Sequence, residues 1–141
     1  SHAKLQQKLR YLMKILIRLC DYKEITPLIK HGKKERVTFD NAEGCLWFCA
    51  EYEGSVIGCA ALVIKGARAR FKSDFVHPNF RMGGVGNLLM EARLKELGPF
   101  VGKATAFCTP MSWPIYKKNG FIEHNKNKFG IIYSGRLFKH E

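Results

Sequence analysis

Val76-His77-Pro78-Asn79-Phe80-Arg81-Met82-Gly83-Gly84-Val85-Gly86-Asn87 is the stretch from which the fold is read. Upstream of it, Phe71, Ser73 and Phe75 alternate with Lys72, Asp74 and Val76, the period of a strand with two unlike faces. That alternation places Asp74 on the face opposite Phe71, Ser73 and Phe75. Downstream, Asn87 to Leu97 carries apolar residues at helical spacing and stops at Gly98-Pro99. A strand that enters a glycine-rich turn and leaves it as a helix suits an anion. Glycines at 83, 84 and 86 let the backbone approach closely and take positive φ. The N–H groups of the helix's first turn then face the ligand with the helix dipole behind them, and Arg81 adds a charge-assisted donor. A pyrophosphate fits such a loop, and so does a tight strand-to-helix turn with no ligand. Two other nucleotide loops fail: a dinucleotide fingerprint needs a further glycine where the chain has Leu88 and Leu89. A phosphate loop of the Gly-Lys-Ser/Thr kind fails too, because Gly102-Lys103 is followed by Ala104 and Gly32-Lys33 by Lys34.

Working outward, Lys14 to Cys20 is short, apolar and partly alternating, as in a first strand. Ile25 to Val37 reads as a helix with an early proline, Pro27. Cys45 to Tyr52 and Val56 to Ile64 are rich in β-branched and aromatic residues and are joined by Glu53-Gly54-Ser55, a hairpin signal. Ala67 to Val76 makes a third antiparallel strand. Beyond the glycine loop and its helix, a fifth strand is expected near Lys103 to Cys108 and a short helix near Trp113 to Lys118, stopped by Asn119-Gly120. Phe121 to His124 and Phe129 to Tyr133 close the pattern as two strands. The order β-α-β-β-β-α-β-α-β-β is that of a mixed α/β (α+β) fold.

The 141 residues suit one domain. Ser1-His2 reads as a cloning remnant and Met13 as a native start, so residues 1–12 are expected to be a tag or extension and 13–141 the domain. No run is long and apolar enough for a membrane span, and Lys14 and Arg18 break the one candidate for a leader, so no membrane partner and a cytoplasmic location are expected. Five cysteines form no paired framework or metal-ligand cluster, which predicts reduced thiols used as small hydrophobes and no metal site. The net charge of +12 favours anionic partners: a phosphate-rich cofactor, nucleic acid or an acidic surface.

Residues 76–86 resemble the acyl-CoA signature of the GNAT acyltransferase superfamily, Val-x-Pro-x-x-Arg-Gly-x-Gly-Val-Gly, with Met82 where glycine is usual. Ile115-Tyr116-Lys117-Lys118-Asn119-Gly120-Phe121 is similar to a second segment of the same family, Tyr-x-Lys-x-Gly-Phe, in the family's order. The resemblance implies a single domain with a mixed, mostly antiparallel sheet flanked by helices, and an N-acetyltransferase using acetyl-CoA as co-substrate. It implies that the backbone at Phe75 and Val76 pairs with the pantetheine arm. Arg81, Met82, Gly83, Gly84, Val85 and Gly86, with Asn87, would hold the pyrophosphate. Tyr116 would protonate the departing thiolate, although a packed aromatic would satisfy the same position. The family often has Asn and Ala where this chain has Thr109 and Ser112.

An attacking amine must lose a proton, and Asp74 is the first candidate base, with Glu51, His77 or a chain of waters as alternatives. Cys108 is read as structural, because the family transfers its acyl group directly. The family's acceptor site draws on the first helix, its following loop and the last strands, which here carry Lys30, Lys33, Lys34, Trp47, Lys126 and Lys128. The expected partners are acetyl-CoA and an amine-bearing acceptor, itself anionic or a nucleic acid, with a homodimer left open. A non-catalytic acyl-CoA-binding module is the competing class, and the presence of Tyr116 argues against it.

Overall fold

The computed structural model describes residues 1–81 and 83–139. The elements run α1 (His2–Met13), β1 (Leu16–Cys20), α2 (Tyr22–Lys33), β2 (Cys45–Tyr52), β3 (Ser55–Lys65), β4 (Arg68–Val76), α3 (Val85–Glu96), β5 (Lys103–Cys108), α4 (Trp113–Lys118), β6 (Ile122–Lys126) and β7 (Ile132–Leu137), with a 3-10 turn at Pro78–Phe80. The seven strands form one sheet in the order β1-β2-β3-β4-β5-β7-β6. Every neighbouring pair is antiparallel except β4 and β5, which are parallel. This is the mixed, mostly antiparallel sheet flanked by helices that the sequence implied.

Each face of the sheet buries its own core. α3 and α4 cover one face, where Phe48, Leu62, Phe71, Leu89, Met90 and Tyr116 pack together. α2 covers the other over Ile25, Leu28, Phe39, Cys49, Cys59 and Phe75. β2 and β3 are buried on both faces, which is why they read as nearly continuous apolar runs.

Several boundaries differ from the sequence expectation for identifiable reasons. α2 starts at Tyr22 rather than near Ile25, because Asp21 and Glu24 form a capping box in which the Glu24 carboxylate accepts the Asp21 N–H at 2.9 Å. Pro27 therefore lies in the second turn rather than at the helix start. The Lys23 carbonyl that its missing N–H would have served instead accepts from the Thr26 hydroxyl at 2.8 Å. The last strand is displaced from 129–133 to Ile132–Leu137. The Asn127 side chain accepts the N–H groups of Phe129 and Ile131 (2.9 and 3.0 Å) and Gly130 takes φ +80°, so residues 127–131 form a turn.

Residues 2–13, set aside in the sequence reading, form a helix that docks on the first core. Tyr11 is buried, donates its hydroxyl to Phe80 O at 3.0 Å and packs on Tyr52.

Candidate active site

The site begins where the sheet opens. β4 and β5 pair only from Arg68↔Lys103 to Phe71↔Ala106, and the strands part beyond that point. At the same place β4 bulges: Cys59 of β3 faces Phe75 and Ala61 faces Lys72, so Ser73 and Asp74 together oppose Ala60 alone. Ser73 carries the bulge at φ +60°, an uncommon conformation for a non-glycine residue. Its hydroxyl donates to Thr38 O at 2.7 Å, and its carbonyl accepts the Cys59 thiol at 3.5 Å.

The extra residue overturns the simple alternation read from sequence. Phe71 and Asp74 lie on the α3 face, where Asp74 meets Arg93, whereas Phe75 lies under α2 against Phe39. Asp74 accordingly pairs with neither Arg68 nor Lys72.

A cavity of about 320 Å³ occupies the cleft beside the open edge of β4. Its walls include Phe75 and Val76, the glycine loop from Gly83 to Asn87, and Thr109 and Ser112 beyond β5. Every described residue that the sequence reading assigned to a cofactor therefore lines one cavity. Met82, assigned with them, lies outside the described residues.

The loop's three glycines do different work. Gly83 (φ +77°) and Gly84 (φ +150°) make the turn, and Gly84 caps α3 without a side chain. The first intrahelical bond runs from Leu88 N–H to Gly84 O at 3.0 Å, which leaves the N–H groups of Val85, Gly86 and Asn87 without acceptors in the helix ladder. No acidic side chain occupies that first turn. Gly86 makes room for α4 instead, because a Cβ there would stand 2.5 Å from Ile115 Cδ1.

Arg81 is not free to face the loop alone. Its Nη2 donates to both Glu35 oxygens (2.7 and 2.8 Å) and its Nε donates to Val76 O (2.8 Å), tying the end of β4 to the segment after α2. A second cation reaches the loop from α1. Lys8 Nζ lies 3.3 Å from the position of a Cβ on Gly83, and the Leu12 methyls lie 2.7 and 2.9 Å from one on Gly84. Sequence reasoning missed both residues by setting residues 1–12 aside; the helical run of α1 ending in the apolar Tyr11-Leu12-Met13 was the available signal.

Behind the cavity wall lies a charged cluster. Arg93 of α3 is fully buried and donates to both Asp74 oxygens, Nη2 to Oδ2 at 2.5 Å and Nη1 to Oδ1 at 3.1 Å. Tyr116 donates its hydroxyl to Asp74 Oδ1 at 2.5 Å and accepts from Arg93 Nη1 at 3.1 Å. Burial pushes the Tyr116 phenol well above its ordinary value, with the Asp74 charge adding to the effect and Arg93 opposing it. The phenol thus stays protonated. It is 1% exposed and reaches the cavity only through Asp74, whose side chain lines the wall. Arg93 was not singled out in the sequence; an arginine on the apolar stripe of a helix, three residues after Met90, was the signal available.

A second cavity of about 320 Å³ lies on the other side of the β4/β5 opening and shares Val37, Asp74, Thr109 and Ser112 with the first. Asp74 thus stands where the two meet. The alternative bases lie elsewhere: Glu51 faces Arg18 at 3.4 Å, and His77 accepts the Asn79 N–H through Nδ1 while its ring packs on His31 at 4.8 Å. Cys108 is buried, and its thiol is pushed up to about 12, chiefly by burial, so it is no thiolate. Trp47 is buried with its Nε1 donating to Asn41 Oδ1 at 2.9 Å, and Lys30, Lys33, Lys34, Lys126 and Lys128 line neither cavity. Among the described residues no cluster of His, Cys, Asp and Glu could hold a metal, and no helix is long and apolar enough to cross a membrane.

A mixed sheet that splits between two parallel strands, with a glycine loop at the split, is the architecture of an acyl-CoA transferase fold. The sequence model of the acetyltransferase (GNAT) domain matches residues 43–123, more than half of the chain, and the chain belongs to that family. No curated protein matches the sequence. Among solved structures, the chain is similar to a Klebsiella pneumoniae protein assigned as an acyl-CoA N-acyltransferase (TM-score 0.73, 16% identity, 88% of this chain and 98% of that one). It is also similar to the PaiA N-acetyltransferase of Thermoplasma acidophilum, solved with coenzyme A (0.66, 14%, 88% and 99%). A third is a GNAT family acetyltransferase from Elizabethkingia anophelis with acetyl-CoA bound (0.62, 18%, 89% and 99%). At these identities the likeness is one of fold.

Proposed function

We propose that the chain is an acetyl-CoA-dependent N-acyltransferase that passes the acetyl group directly to an amine. The observation that carries this reading is the meeting of two cavities at Asp74, one walled by the glycine loop and the free edge of β4, the other open to an acceptor. The N–H groups at the start of α3 receive the pyrophosphate, with Arg81 in the cavity wall and Lys8 beside Gly83 as flanking cations. The backbone at Phe75 and Val76, beyond the last β4–β5 strand pair and with the Val76 carbonyl accepting from Arg81 Nε, receives the pantetheine arm as an added strand. Family membership and the coenzyme A or acetyl-CoA carried by the Thermoplasma and Elizabethkingia structures support the choice of co-substrate.

In this reading Asp74 takes the amine's proton as nitrogen bonds to the thioester carbon. Tyr116 reaches the departing sulfur only through Asp74, so the proton that the sulfur gains is delivered by Asp74, with the Tyr116 phenol sharing it across their 2.5 Å hydrogen bond. One proton thus moves from nitrogen to sulfur, and no acyl-enzyme forms, consistent with the protonated Cys108. Arg93 holds the Asp74 carboxylate in place through two hydrogen bonds.

The test is a melting curve with and without nucleotides. Acetyl-CoA should raise Tm by mass action, about 2.7 kcal/mol of stabilisation at a hundredfold excess over Kd. NAD and ATP at equal concentration should not; equal shifts from all three mean generic anion binding and end the assignment.

A further inference from the structure

We propose that the acceptor is a small primary amine that also carries an anionic group, a carboxylate or a phosphate, held by Arg36 and Arg70 in the second cavity. The inference rests on the acyltransferase reading and adds a substrate class to it.

The charges facing that cavity do not cancel. Asp74 is matched by Arg93, and Asp40 by Lys72, whose Nζ lies 2.9 Å from Asp40 Oδ1 and also donates to the Asp40 carbonyl. Arg70 reaches the same Asp40 carboxylate only at 4.0 Å and is about half exposed. Arg36 has no carboxylate within ion-pair distance among the described residues; its guanidinium stacks 3.9 Å over the Phe129 ring. Two arginines therefore remain with donors to spare, each a planar fork matched to a carboxylate or a phosphate.

The backbone points the same way. Arg36 sits at φ +65°, where glycine or asparagine would be easier, so its side chain is kept at a strained position beside the cavity. The remaining walls are apolar, with Val37, Phe71, Phe107 and Ile131. A volume of about 320 Å³ matches a metabolite rather than a folded partner. Asp74 lines this cavity as well as the first, so an amine anchored by its anion at Arg36 and Arg70 shares its cavity with the proposed base.

The experiment follows CoA release at saturating acetyl-CoA with matched acceptors: an amino acid against its amide with the α-carboxylate removed, and phosphoethanolamine against ethanolamine. The charged member should lead by about 10- to 150-fold in kcat/KM, carried mainly by KM, the worth of one hydrogen bond to a charged group. The pair with the larger gap identifies the anion. Arg36→Gly, which suits the left-handed backbone, and Arg70→Ala should each shrink that gap while leaving the acetyl-CoA melting shift intact. Neutral amines or polyamines used as well as or better than the charged members overturn the proposal. Turnover of no acceptor in the panel, with the acetyl-CoA shift present, overturns it too. Absence of the acetyl-CoA shift in the unmodified protein instead removes the acyltransferase reading beneath it.

Discussion

Replacing Arg93 with methionine isolates the charged cluster that ties the site to the core. The side chain is fully buried and supplies five hydrogen bonds: two to Asp74, one to Tyr116, and one each to Ala61 O and Leu89 O at 3.4 and 3.3 Å. Methionine fills much of the volume but leaves the Asp74 carboxylate, 16% exposed, with one neutral donor in Tyr116. Breaking one partner out of a buried ion pair costs roughly 3–5 kcal/mol. For 141 residues an unfolding entropy of ~2.1 cal/mol/K per residue converts that to a Tm loss of about 10–17 °C. Asp74→Asn should cost a similar amount by stranding Arg93. The double variant, with neither charge, should recover much of the sum, giving a coupling of about 2–3 kcal/mol. Urea unfolding followed by circular dichroism, with unchanged m-values, reads all four proteins. Additivity within about 0.5 kcal/mol, or a loss under about 1 kcal/mol for Arg93→Met, refutes the claim that this pair is a structural unit.

Tyr116→Phe should lower kcat by about 10²–10⁴ with little change in the KM for acetyl-CoA, and full retention of kcat would reduce the ring to packing. The same variant bears on alkaline stability. A phenol raised in the fold stabilises it fully below the ordinary value of 10.0 and loses that contribution as pH rises beyond it. Tyr116→Phe should therefore flatten part of the fall in stability above about pH 10, leaving the shares of Tyr11 and of buried thiols such as Cys59 and Cys108, which are also raised mainly by burial. Gly84→Ala must hold a side chain at φ +150° and push Leu12 aside, so it should cost about 1–2 kcal/mol and weaken the acetyl-CoA melting shift; an unchanged shift would detach the loop from the cofactor. If the net charge of +12 serves nucleic acid, tRNA should be retained at about 0.1 M salt and released steeply above it, and no retention there assigns the charge to other uses.

Much of this was legible in the residues because it depended on local pattern. The hairpin of β2 and β3, the strand-loop-helix at Gly83 to Gly86 and the short helix ending at Asn119-Gly120 carry their own turn chemistry, and the structure keeps them within a residue or two. What could not be read depends on contacts between distant positions. Arg81 reads as a phosphate donor alone, and only the fold gives it an ion-pair partner as well, Glu35 from forty-six positions away in sequence. Lys8 and Leu12 gain meaning only once α1 docks beside the loop. Arg36 reads as one more lysine-rich-surface cation until the turn after α2 brings it over Phe129.

The alternation through β4 failed for a reason that also explains the site. Without an extra residue at Ser73, Asp74 would face α2 and the core of Phe39, Cys49 and Cys59, leaving the fully buried Arg93 without its carboxylate partner. Phe75 would then turn toward Arg93. Parting the buried Asp74–Arg93 pair costs roughly 3–5 kcal/mol, more than the one to three expected for a serine at positive φ, and Thr38 O and the Cys59 thiol offset part of that strain. The sum favours the bulge. Once β4 has bulged, its edge no longer matches β5 and the sheet opens there, so the residue that sends Asp74 to Arg93 also separates the strands between which both cavities lie. Fold stability and site geometry therefore share one cause, and a substitution that straightens β4 should remove both together.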